Sequence, residues 1–158
     1  MFKKICVVAA VLVINGCKTT DVNNDYTHLP VTQGELNNAK WNDLNRFPAK
    51  YPVKAVMASV EGCATVEYVI TPDNEIKNMN VIASTSNYFN KAAKQVINQW
   101  AWSSLAKNKL NTAVKTQTRF DFCFDKPNQP CASLTPSYSC PGEDIIFSSG
   151  MRINVTKH

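Results

Sequence analysis

Residues 61–84 read Glu61-Gly62-Cys63-Ala64-Thr65-Val66-Glu67-Tyr68-Val69-Ile70-Thr71-Pro72-Asp73-Asn74-Glu75-Ile76-Lys77-Asn78-Met79-Asn80-Val81-Ile82-Ala83-Ser84, or EGCATVEYVITPDNEIKNMNVIAS. The first half alternates: Ala64, Val66, Tyr68 and Ile70 fall on one face of a strand, with Cys63, Thr65, Glu67 and Val69 on the other. Pro72-Asp73-Asn74 supplies turn chemistry, because Asn74 tolerates the left-handed conformation. A second strand follows with Ile76, Met79 and Val81, and its change of step after Ile76 predicts a bulge. The stretch is a β-hairpin.

Downstream, Ser86 or Asn87 can cap a helix on which Phe89, Ala92, Ala93, Val96, Ile97 and Trp100 form one apolar stripe. This stripe reads as core rather than as a cofactor surface. After polar residues 103–112, VKTQTRFDFCFD sets Phe120, Phe122 and Phe124 on one face of a third strand, with Arg119, Asp121 and Cys123 on the other. Upstream, Pro52 suits the first turn of a short helix over Val53–Ser59. The order αββαβ predicts an α+β fold in two layers, with the long helix packed on a small antiparallel three-stranded sheet. In the tail, DIIFSSGMRINVTKH reads as two short strands around Ser149-Gly150, an extra C-terminal hairpin of which one strand adds to the sheet edge.

The N-terminus has the layout of an export signal: Lys3-Lys4, then roughly ten apolar residues to Ile14, then small residues. A bilayer-crossing helix needs about 20 apolar residues, so this run is too short to span. Ile14-Asn15-Gly16-Cys17 resembles a bacterial lipobox, which makes residues 1–16 a signal peptide and Cys17 the lipidation site, in preference to plain cleavage. Lys18 is not the aspartate that commonly retains such lipoproteins at the inner membrane, so this resemblance favours the outer membrane, on the periplasmic face of the envelope. Residues 17–46, rich in Asn, Thr and Asp, read as a flexible tether, with a short helix near Glu35–Leu44 carrying Leu36, Trp41 and Leu44.

Removal of Lys3 and Lys4 with the signal leaves +3 of the formal +5 charge. That balance is too mild to argue for nucleic acid, and no basic stripe interleaves with aromatics. Cys63, Cys123, Cys131 and Cys140 remain after Cys6 and Cys17 are set aside. In an oxidising compartment they form two disulfides with three pairings open; a four-cysteine zinc site is the weaker alternative. The only histidines are His28 and His158, and no glycine-rich phosphate loop, H-E-x-x-H or G-x-S-x-G occurs. The reading is therefore non-catalytic, with no cofactor and no metal.

The sequence resembles the C-terminal domain of TonB. PAKYP with Ala55, the hairpin at 61–84, and NKAAKQVINQWAW follow that family's tyrosine-proline, glycine-led strand, Pro-Asp turn, second strand and alanine-bearing helix ending in tryptophan. The resemblance covers residues 47–124; Asn74 stands where the family has a turn glycine, and an aromatic is displaced to Trp102. Neither a spanning helix nor a Pro-rich spacer precedes the domain. TonB conveys inner-membrane energy to outer-membrane receptors, and its domain binds an extended receptor peptide alongside the last strand. The resemblance thus implies a protein or peptide partner bound by strand addition, an outer-membrane transporter or an energy-transducing complex. On this chain it falls on Lys50, Tyr51, Thr116, Gln117, Thr118, Arg119, Phe120, Asp121 and Phe122, although a tail strand on the same edge would block it. A structural or assembly lipoprotein without receptor-box binding is the alternative. The implied topology sets the first strand between the second and third, which suggests a Cys63–Cys123 cross-strand bridge and a Cys131–Cys140 bridge closing a loop in the tail, residues 125–158.

Overall fold

A computed structural model describes residues 25–152. The elements are β1 (Val31–Thr32), α1 (Val53–Met57), β2 (Gly62–Ile70), β3 (Ile76–Ser84), α2 (Asn87–Gln99), β4 (Val114–Phe124) and β5 (Asp144–Gly150). The fold is α+β, with one main helix on a mixed sheet. That sheet has five strands rather than three, because the chain on both sides of the expected unit contributes to it.

The hairpin forms as its alternation requires. β2 and β3 pair antiparallel from Ile70↔Ile76 to Ala64↔Ser84, and Asn74 turns the chain at φ 62°. β3 carries extra residues where the register shifts, one of them at Asn78 with φ 49°, which is the bulge expected after Ile76. β2 lies between β3 and β4 and pairs with β4 antiparallel over its whole length, Gly62↔Phe122 to Ile70↔Val114.

α2 starts at Ser86, whose hydroxyl accepts from the Tyr88 amide. Its stripe of Phe89, Ala93, Val96 and Ile97 is buried against the sheet. Phe89 stacks on Phe122 at 4.4 Å between ring centres, while the Tyr51 ring lies flat on Phe124 and edge-on to both. Two glycines permit this aromatic cluster: a Cβ at Gly62 would overlap Thr85 and the Phe89 ring, and one at Gly150 would come within 2.7 Å of the Tyr51 ring.

Residues 31–46, read from sequence as part of a tether, pack against the domain instead. Leu36, Trp41 and Leu44 are all buried. The expected helix is two separate 3₁₀ turns, Glu35–Asn37 and Ala39–Trp41. The anchors are the three apolar side chains, and a buried Glu35 carboxylate accepts from the Trp41 indole at 2.9 Å and meets Lys40 at 2.7 Å.

Both faces of β2 are buried, which a two-layer fold does not explain. The second cover is the tail. Residues 131–143 cross the sheet face opposite α2, where Thr65 Oγ1 donates to the Pro141 carbonyl and Arg119 Nη1 to the Cys140 carbonyl. The disulfides are Cys63–Cys140 and Cys123–Cys131, not the expected Cys63–Cys123 and Cys131–Cys140. The strand order was as expected, but the register differs: Cys63 stands opposite Asp121, leaving Cys123 beyond the start of β2. Of the expected tail hairpin, the first strand is β5, which continues through Gly150; the second falls largely on residues outside those described.

Chain entropy makes the 77-residue Cys63–Cys140 link worth about 4–5 kcal/mol and the 8-residue Cys123–Cys131 link about 2–3 kcal/mol. Non-reducing digestion with mass spectrometry should recover these two pairs. Replacing Cys63 and Cys140 together with serine should lower the urea midpoint more than replacing Cys123 and Cys131.

Candidate functional site

β4 is the strand on which strand addition was expected, and its alternation is as read. Phe120, Phe122 and Phe124 are buried on the α2 face, while Arg119, Asp121 and Cys123 lie on the opposite face, where Arg119 and Cys123 meet the tail. Its outer edge is occupied by the chain itself. β1 pairs parallel with Lys115 and Thr116, and β5 pairs parallel with β4 from Thr118↔Asp144 to Phe124↔Gly150. The edge has no open length for a guest strand while β5 is docked.

A buried polar chain fixes the start of β5. Thr118 Oγ1 donates to Asp144 Oδ2 at 2.7 Å and takes the Tyr68 hydroxyl at 2.8 Å, while Arg46 Nη1 reaches Asp144 Oδ1 at 2.6 Å. Asp144 is 1% exposed and Thr118 fully buried, so each partner satisfies a group that water cannot reach. Burial, foremost, raises the Tyr68 phenol above its ordinary value of 10. Sequence reading missed Arg46 and Asp144, since neither sits in a motif; their link spans 98 residues.

The other expected site residues are tied down too. Thr116 Oγ1 donates to the Thr32 carbonyl; Gln117 donates to Glu67 and accepts from Gln33. Arg119 grips Asp121 through two nitrogens, at 2.6 and 2.8 Å, with both side chains largely buried. Tyr51 donates to the Val60 carbonyl at 2.7 Å and its half-buried ring packs against the core cluster. Lys50 alone is solvent-exposed, at one side of a groove of about 550 Å³ between residues 50–53 and α2. The structure therefore separates Lys50 from the β4 residues by surroundings: Lys50 lies on an open surface, and the others sit in packed, hydrogen-bonded positions. Among the described residues, β3 has no strand on its outer side. Its bulges and exposed Lys77 are devices that blunt an edge.

Cys17 lies outside the described residues. Among those described, no helix is long and apolar enough to cross a membrane, and no three His, Cys, Asp or Glu side chains gather as a metal site.

A helix packed on strands in the order β4-β2-β3 is matched by one family model, that of the Gram-negative bacterial TonB protein C-terminal region, over residues 48–124. Residues 48–124 match the TonB C-terminal family. Protein TonB of Yersinia enterocolitica is 29% identical over 72 residues, a match taking in 45% of this chain and 28% of that protein. This chain therefore corresponds to only part of that relative's length. The TonB-type domain here bears additions outside the matched span: the packed segment 31–46 and the β5-bearing tail.

Asp144→Ala strands Arg46 and Thr118 and should destabilise the protein by roughly 3–5 kcal/mol, measured by urea unfolding. A raised phenol pKa means that the folded state keeps a proton the unfolded state loses. The stability tied to Tyr68 is therefore complete below pH 10 and is lost as pH climbs through the folded value. Melting temperatures taken from pH 9 upward should fall for the wild type and fall less steeply for Tyr68→Phe.

Proposed function

We propose that this protein is a non-catalytic lipoprotein of the cell envelope whose TonB-type domain binds a protein partner. The observation that carries the reading is the TonB C-terminal match over residues 48–124. A domain of this family brings a protein-interacting role in envelope transport, and the similarity to Protein TonB of Yersinia enterocolitica points the same way. Cys17 carries the lipid, which holds the domain at the periplasmic face of the outer membrane. The partner is an outer-membrane transporter or an energy-transducing complex, and it engages this domain through an extended segment. With β5 on β4, addition at that edge follows only when β5 leaves; the outer side of β3 is the alternative edge.

One observation favours a second reading, that of a structural or assembly lipoprotein. β1 and β5 fill the β4 edge by intramolecular pairing anchored at Asp144, as suits a domain that organises neighbours without taking a receptor box.

Metabolic labelling with an acyl-chain analogue should mark the wild-type chain, and Cys17→Ala should lose the label and leave the membrane fraction. In-cell crosslinking followed by mass spectrometry should recover transporters with N-terminal plugs under the first reading. Recovery of secretion or cell-wall components instead would favour the second.

A further inference from the structure

The groove beside α2 combines charge with apolar surface. Its floor is Pro52, Ala92 and Val96, and its walls include Val53 and Tyr88, which are 67% and 41% exposed. Met57, at the end of α1, is 76% exposed next to it in sequence. Val53 and Tyr88 thus leave apolar surface in water along the groove.

The charge around the groove is of one sign. Lys50 and Lys91 line it, Lys54 follows on α1, and Lys94 continues along α2 into a shallow surface with Asn90, Gln95 and Asn98. Neither α1 nor α2 contains a carboxylate. Lys40, Lys77, Lys107 and Lys109 each reach a carboxylate on their own surfaces. Among the described residues, Lys50, Lys54, Lys91 and Lys94 make no ion pair. Lys115 and Lys126 are also without an ion pair, but they lie apart on other surfaces, whereas these four cations gather around one groove.

We infer that this groove binds an acidic peptide segment of a protein partner, with one or two apolar side chains seated against Pro52, Ala92 and Val96 and flanking carboxylates met by Lys50, Lys91 and Lys94. The inference rests on the protein-binding reading above and gives it a place that does not require β5 to move. A concave slot of about 550 Å³ accepts side chains projecting from a chain, whereas a flat anionic bilayer meets only its rim. Rim lysines steer an acidic partner and reject a basic one, while the apolar floor supplies the contact that persists in salt.

The test uses the full chain in detergent micelles and a fluorescein-labelled decapeptide alternating glutamate with leucine and tyrosine. Controls are the same peptide with lysine for glutamate, and phosphatidylglycerol vesicles. The acidic peptide should bind saturably, about tenfold more weakly at about 0.5 M salt than at about 0.05 M. Lys91→Glu with Lys94→Glu should weaken it by about tenfold or more at low salt, with an unchanged melting temperature, and Lys50→Glu should do so independently. Equal binding of both peptides, unchanged affinity in the charge-reversed variants, or binding of vesicles without peptide would overturn the inference. If the charge-reversed chain still crosslinks the partner that the wild type captures, the groove assignment falls and the protein-binding reading stands. If the wild type binds neither peptide nor any envelope protein, both fall.

Discussion

The parallel pairing of β5 with β4 is the contact on which the rest of the architecture depends. It turns the last strand of the TonB-type unit into an interior strand, and β4 accordingly is buried along most of its length. An isolated parallel pair is weakly held, so the molecule secures it at both ends. At one end Asp144 is bound by Thr118 and Arg46; at the other Gly150 lets the Tyr51 ring lie against the strand. Between the two structural covers, the Cys63–Cys140 bridge ties the residues leading into β5 to the opposite face of β2. Thr118, Tyr68, Arg46 and Asp144 come from four separate parts of the chain. Core, added N-terminal segment and tail therefore fold as one packed unit.

That constraint bears directly on recognition. An edge strand attracts partners because its N–H and C=O groups are unpaired, and here the chain's own β1 and β5 satisfy them. The domain has spent its best strand-addition edge on itself. What remains outward is the blunted β3 edge and the basic, partly apolar surface between α1 and α2. The tail that closes β4 contributes no residue to the lining of that surface and meets it only where Tyr51 packs on Gly150, so closure and binding need not compete.

Much of the unit was legible in sequence where local pattern decides. The alternation of 63–70, the turn at Asn74, the slip after Ile76 and the stripe from Phe89 to Ile97 each encode one element through its own period. Long-range partners are not encoded that way. Nothing in GEDII marks Asp144 as buried, because its burial depends on an arginine 98 residues earlier. The cysteine pairing turned on a two-residue offset, with Cys63 facing Asp121 instead of Cys123, and strand order alone does not set register. The sparse Leu36, Trp41 and Leu44 looked like a tether because their neighbours are polar, yet three well-placed side chains suffice to dock the segment. Of the expected site residues, Thr116–Phe122 were correctly placed on one strand, but their partners came from segments outside the recognisable unit.

Residue-resolved amide hydrogen exchange on the wild-type chain tests the closed edge most directly. Every amide from Thr118 to Phe124 should be protected, those facing β5 as well as those facing β2, because both sides of β4 are hydrogen-bonded. Rapid exchange at every second residue of that run, the signature of an open edge, would contradict the account.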